Sequence, residues 1–268
     1  MGSLQDQPGR VESLGVLSGF REDFYGCLPR RADALFELTD AVLCVEGPVR
    51  TLVGLSLAPE HRRGHGALFD AVNHGRVDLD RLRKVVAGLA VPRAAGGRIV
   101  LAVDVSPWLR PGAQTSPDRL FCHVAGRSRD QDQQIPGWPY SVVAALETGA
   151  TSWTAVLDAV RLGPADEVAA VTAAQLRAVI DRLTAAGHWR PGGPGGPDIL
   201  IVADAGYDLA RLAHDLADLP VEVLGRIRAD RVLRLPAPPR RPGQTGRPAR
   251  HGGQFRLADH GPVASRNR

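Results

Sequence analysis

The sequence has three cysteines, Cys27, Cys44 and Cys122, and no two of them share a C-x-x-C spacing. That scatter argues against a zinc site and reads as reduced thiols of a cytosolic protein. Apolar runs are short and interrupted, which excludes a membrane-spanning helix. The opening, Met1-Gly-Ser-Leu-Gln-Asp, lacks a basic region followed by an apolar stretch and so does not read as a secretory signal. There is no Walker A sequence, no G-x-S-x-G and no H-E-x-x-H. ATPase, serine hydrolase and zinc protease chemistry therefore have no support.

Lysine is nearly absent too, since Lys84 stands alone among 33 basic residues. Arginine suits phosphate through its planar fork, but a GC-rich genome produces the same bias. The clustering is more informative than the bias. Residues 226–268 hold eleven arginines against Asp230 and Asp259, a balance of +9 in a chain whose net charge is +4. Hydrophobic content of 44% and charged content of 23% fit a soluble globular protein of one large or two modest domains.

Along the chain, residues 1–13 are polar and read as loose. The text from Val16 to about Leu89 is helical. Leu35, Leu38, Val42 and Val45 recur at helical spacing, as do Leu79, Leu82, Val86 and Leu89. His61-Arg-Arg-Gly-His-Gly66 between them is a basic turn. Pro92 to Gly97 reads as a linker, giving a helical region over 1–95 with possible DNA-binding capacity and a second region over 96–268. The pattern then changes to strands: Ile99–Val105, Leu120–Val124, and Ile135–Glu147 broken by Pro136, Gly137 and Pro139, with Trp153–Leu162 as an extension. Gly163-Pro164 opens a helix striped by Val168, Val171, Leu176, Val179 and Leu183 and capped by Gly187. Beyond the Gly/Pro connection 191–197 come a strand at Ile199–Ala203, a helix around Leu209–Leu219 and a strand at Val221–Ile227. The order β-β-β-α-β-α-β predicts an α/β fold with a mixed sheet flanked by helices. The Pro-, Gly- and Arg-rich tail from Pro236 reads as poorly ordered or as an irregular insertion.

Two aspartates stand out. Asp104 ends the run Arg98-Ile-Val-Leu-Ala-Val-Asp104, and Asp204 ends Asp198-Ile-Leu-Ile-Val-Ala-Asp204. An unpaired carboxylate at the end of an apolar strand is costly to bury. Parallel neighbouring strands bring their C-terminal ends to one edge, where open α/β sheets bind ligands. Two carboxylates meeting there need a cation or a proton between them. Mg²⁺ suits one or two carboxylates plus phosphate oxygens, and a pair of such ions serves phosphodiester cleavage. The bland alternative for each aspartate is a helix N-cap or a turn former, and Asp204-Ala-Gly-Tyr is open to it because a helix follows.

The words around the aspartates narrow the choice. Asp104-Val-Ser-Pro-Trp-Leu-Arg110, Ile135-Pro-Gly-Trp-Pro-Tyr140 and Asp204-Ala-Gly-Tyr-Asp208 together resemble the core of bacterial insertion-sequence transposases of the DDE superfamily. Gly246-Arg-Pro-Ala-Arg-His-Gly252 looks like the basic stretch that follows the fifth strand in those proteins. The likeness runs from about Leu17 to the end. It implies an RNase H-like fold in which Asp104 on the first strand and Asp204 on the fourth are catalytic, metal-binding residues. It further implies Mg²⁺ (or Mn²⁺), cleavage and strand transfer at transposon ends, and terminal-repeat and target DNA as partners. A homo-oligomer when active, no membrane, and a bacterial, cytoplasmic, nucleoid-associated location belong to the same expectation. The departure lies in the third acid, usually Glu, on a helix well beyond the basic stretch. Glu147, Glu167 and Glu222 precede that position, and Asp259 does not sit in such a helix. The resemblance thus predicts a C-terminally truncated, impaired transposase, or a DNA-binding relative without cleavage. An unrelated Mg²⁺ phosphohydrolase of the haloacid-dehalogenase type would want Asp-x-Asp, but Ser106 follows two residues after Asp104.

Arg240, Arg241, Arg247 and Arg250 are the leading candidates for DNA backbone contact. Arg62 and Arg63, with His61 and His65, form a second candidate, with a solvated turn as the alternative. Arg81, Arg83 and Lys84 present a basic helix face, which also reads as plain surface. Trp138 and Tyr140 fit either a frayed base or core packing. Cys122 and His123 read as structural.

Overall fold

The computed structural model describes residues 8–49, 51–124, 133–149, 154–191, 198–227, 231–240, 242–243 and 245–256. The chain divides into two compact units, residues 1–92 with 178–190 and residues 93–177 with 191–268.

The first unit contains α1 (Pro8–Tyr25), α2 (Ala32–Cys44), α3 (Leu52–Leu55), α4 (Gly66–His74) and α5 (Leu79–Gly88). The stretch expected to be loose is helical from Pro8, a residue whose missing N–H costs nothing in a first turn. Ala41, Leu55, Ala58 and Leu68 form a small core, with Leu38, Val45 and Leu52 packed against it. Asp78 caps α5 by accepting from Arg81 N at 3.0 Å.

The second unit is built on a mixed sheet. Its strands are β1 (Val100–Leu109), β2 (Leu120–Val124), β3 (Gln133–Leu146), β4 (Thr154–Arg161), β5 (Ile199–Ala203) and β6 (Val221–Gly225). The order is β2-β3-β1-β5-β6, with β4 also on β3. β1 is antiparallel to β3 and parallel to β5, and β6 is parallel to β5. The far edge of β3 is shared: β2 pairs with residues 133–137 and β4 with 140–146. This is the RNase H-like mixed sheet that the resemblance implies.

Two expectations about strands need correction. β3 is continuous through its prolines, because each keeps a cross-strand bond through its carbonyl: Pro136 O accepts from Arg110 N at 2.7 Å and Pro139 O from Leu162 N at 2.9 Å. Opposite Pro139 stands Pro107 of β1; the Pro139 carbonyl points the other way, to Leu162 N, so the two prolines form a pair that exchanges no hydrogen bonds. Residues 154–161 form a strand of their own rather than an extension of β3.

Helix α6 (Val168–Ala185) begins in the second unit and ends in the first, where Gly187 at φ +79° closes it and His188 N donates to Leu183 O. Its first turns lie against the sheet face that carries Leu101, Val103, Val143 and Ile201, all buried. Gln175 Nε2 donates to Ser141 O at 3.0 Å across that interface. Helix α7 (Leu209–Asp215) packs on β6, capped by Asp208 and anchored by the buried Leu212. In the basic C-terminal region β7 (Val232–Arg234) pairs antiparallel with β8 (Gln254–Arg256).

Candidate active site

The parallel register of β1 with β5 ends at Val103↔Ala203. The next residue on each strand is an aspartate. Asp104 and Asp204 thus stand side by side where β5 stops, although 100 positions separate them in sequence. Asp104 is not at a strand end as expected. β1 runs on to Leu109 because β3 keeps pairing with it after β5 has ended.

Both aspartates line a cavity of about 650 Å³, together with His123, Glu167, Tyr207 and Asp208. Among the described residues that line it there is no arginine or lysine. Asp104 Oδ1 accepts from Val105 N at 2.8 Å, and Asp204 Oδ1 accepts from Gly206 N at 2.8 Å. The second contact is an Asx turn, so Asp204 is a turn former as well as a cavity residue. Glycine at 206 leaves room for this turn, since a Cβ there would lie 3.0 Å from Asp204 Oδ1 and press on the carboxylate. Neither Asp104 nor Asp204 forms an ion pair among the described residues.

The other two acids of the cavity are already engaged. Glu167 accepts from Ala169 N at 3.2 Å and Ala170 N at 2.9 Å, holding the start of α6, and Arg211 approaches it to 3.8 Å. Asp208 accepts from Arg231 at 3.0 Å and from Arg211 N at 3.4 Å. The Arg231 hydrogen bond, foremost among these, holds the Asp208 carboxyl below the usual carboxylate range. Beneath the cavity Tyr207 is buried, and no hydrogen bond of ordinary geometry reaches its hydroxyl. Burial raises its pKa, the charges of Asp104 and Asp204 add to the rise, and the nearby Thr172 and Ser141 hydroxyls oppose it.

The sequence matches the family described as DDE superfamily endonuclease over residues 23–267. The chain belongs to that family. Among solved structures it is similar to the Drosophila P element transposase strand transfer complex, at 14% identity and a TM-score of 0.26. That similarity covers 80% of this chain, which spans 48% of the other. No curated protein matches it.

DDE superfamily endonucleases generally use a divalent metal. Among the described residues, no three His, Cys, Asp or Glu side chains are arranged as a ready-made metal cage. The donors present nevertheless fit one hard cation. Two exposed carboxylates without cationic partners, beside open solvent, match the one or two carboxylates that Mg²⁺ takes while keeping waters or phosphate oxygens.

The arginines named from sequence are dispersed. Arg63 is tied to Asp33 at 2.8 Å and to Glu37 at 3.3 Å in the first unit. Arg62 is exposed, and its backbone N–H donates to Glu37. Their neighbour His61 is buried, not solvated; among the described residues neither ring nitrogen has a hydrogen-bond partner, and Nδ1 lies 3.8 Å from a Glu37 carboxylate oxygen. Arg240, Arg247 and Arg250 are exposed on the long connection between β7 and β8, and Arg240 donates to Gly246 O at 3.1 Å. Arg241 lies outside the described residues, as do Trp153, Asp230 and Asp259. Residues 231–256 carry seven arginines and no acid.

Sequence reasoning did not single out Glu167, Tyr207, Asp208 or His123 as cavity residues. Tyr207 and Asp208 were within reach, because they complete Asp204-Ala-Gly-Tyr-Asp208. Glu167 carries no such signal, since an acid ahead of an apolar helix reads as a cap.

Proposed function

We propose that this protein is a metal-dependent DNA endonuclease of the transposase kind, acting at the ends of a bacterial insertion sequence. The observation that carries the proposal is the side-by-side placement of Asp104 and Asp204 in one cavity, without cationic partners. Asp104 and Asp204 would hold Mg²⁺ or Mn²⁺. The bound ion supplies charge neutralisation at a phosphodiester and a more acidic attacking water. Gly206 N and Val105 N each hold one carboxylate oxygen, fixing the orientation of the other toward the cavity. Glu167 and Asp208 stay out of the ion set, because a helix start and two arginines already use them. The arginines of the β7–β8 connection, Arg240, Arg241, Arg247 and Arg250, grip the DNA backbone, and Arg62 adds a contact from the helical region. Arg63, spent on Asp33 and Glu37, contributes less. Active protein works as a homo-oligomer on DNA in the nucleoid.

A DNA-binding protein without cleavage is the second reading, favoured by the arginine-rich, acid-free stretch 231–256. One assay separates the two. DNA bearing the element's terminal repeats is incubated with the protein and Mn²⁺ or Mg²⁺. Nicking that vanishes in Asp104→Ala and Asp204→Ala establishes the nuclease. Salt-sensitive binding with no nicking at any ion concentration establishes the binder.

A further inference from the structure

The face of the sheet that bears Asp104 continues past the cavity into a patch of aromatic rings. Side chains alternate along a strand, so Asp104, Ser106 and Trp108 share one face of β1. The register places Trp108 opposite Trp138, and their rings lie 6.2 Å apart. Pro136, two residues before Trp138, faces Phe121 on β2. Phe121 therefore shares that face, while its neighbour Cys122 is buried on the other.

Trp108 is 51% exposed and Phe121 is 57% exposed. Leaving two large rings in water on the two strands that flank β3 gives up a substantial amount of burial energy. Each ring also carries a guanidinium. Arg110 lies over Trp108 at 4.3 Å and Arg119 over Phe121 at 5.5 Å. An apolar protein partner has no use for two cations in its contact surface. A chain that alternates flat π-faces with phosphates uses both, since bases stack on aromatic rings and arginine meets phosphate. The distance suits the same ligand: four residues of strand separate Asp104 from Trp108, about 13 Å, or about four stacked nucleotides at 3.4 Å each.

We infer that Trp108 and Phe121, with Arg110 and Arg119, form a stacking platform for unpaired nucleotides of the DNA strand that passes Asp104 and Asp204. The inference rests on the nuclease reading for its direction, but its test does not require cleavage. Binding of a labelled single-stranded oligonucleotide is measured by fluorescence anisotropy in EDTA, for wild type, Trp108→Ala, Phe121→Ala and Arg110→Ala. Each aromatic substitution should weaken binding about tenfold or more, with no change in its salt dependence and an unchanged melting temperature. Arg110→Ala should instead lower the slope of log affinity against log salt by about 0.7. On a strand made abasic throughout, Trp108→Ala and wild type should bind alike.

Wild-type affinity in both aromatic variants overturns the platform. So does an equal loss on abasic DNA. So does loss of self-association with DNA binding intact, which would make the patch a contact between two copies of the chain. If the aromatic variants lose single-strand binding while the protein never nicks DNA, the platform stands and the nuclease reading falls. Nicking that requires the aspartates, with wild-type binding in Trp108→Ala, gives the reverse.

Discussion

Asp104 and Asp204 follow the last parallel pair of β1 and β5 and have no cationic partner among the described residues. Without an ion, two carboxylates therefore stand beside each other in one cavity. Replacing either by asparagine removes the repulsion between them, so Asp104→Asn and Asp204→Asn should melt at or slightly above the wild-type temperature without added divalent ion. With ion the order reverses. A ligand at ten times its dissociation constant stabilises the folded state by about 1.4 kcal/mol. The unit that holds the site has about 160 residues, for which 1 kcal/mol moves the midpoint by about 2–4 °C. Saturating Mg²⁺ or Mn²⁺ should thus raise the transition of that unit by about 3–6 °C in wild type, and by under about 1 °C in either variant. Differential scanning fluorimetry at constant ionic strength reads the shift, with NaCl replacing the divalent salt to remove screening effects. Equal shifts in all three proteins would refute the pairing of these carboxylates around an ion.

Three further outcomes follow from the same geometry. Gly206→Ala places a Cβ 3.0 Å from Asp204 Oδ1, so calorimetry should show Mn²⁺ binding weakened several-fold with little change in melting; unchanged affinity would remove Asp204 from the ion set. Gly225→Ala would set a Cβ 2.4 Å from a δ-carbon of Leu209 and 2.9 Å from Ala203 O. Because the carbonyl belongs to the β5–β6 ladder and cannot yield, urea unfolding should show a loss of about 1–3 kcal/mol. The hydrogen bond from Arg177 holds the Asp218 carboxyl down at about 2, against an ordinary value of 3.8. A depressed carboxylate stabilises the fold above the ordinary value and loses that contribution as pH falls toward the folded value. The urea midpoint at low salt should therefore decline between pH 4 and pH 2, and Asp218→Asn should flatten that decline; an identical acid limb in the variant would discount the pair.

What the sequence made legible was local and periodic. The apolar runs at 99–103 and 199–203 became β1 and β5, and the stripe from Val168 to Leu183 became α6 with Gly187 at its end. The fold class followed from the order of those elements. What stayed hidden depends on partners distant in sequence. β1 outruns Asp104 only because β3 supports it, and no residue near Pro107 announces that support. Pro136 and Pro139 read as breakers, yet each keeps a cross-strand bond through its carbonyl, from Arg110 N and Leu162 N. His61 reads as a solvated turn beside two arginines, yet it is buried. The exposed rings of Trp108 and Phe121 come onto one surface through the β1–β3 and β3–β2 registers, which no spacing along the chain reveals.

The pairing of Val100 with Leu200 also has a consequence for synthesis. At ~5–20 residues per second a ribosome needs about 5–20 s to make the hundred residues between them. During that interval β1 can zip with β3, whose partners follow soon after it, while its other edge waits bare. An unpaired apolar edge is a template for wrong pairing, including with the β1 of a neighbouring nascent chain. Half the carboxylate pair exists throughout this period, with nothing yet beside it. The cavity is thus among the last parts of the sheet to be completed, and slowing translation between residues 110 and 199 should lower the yield of soluble protein more than slowing it elsewhere.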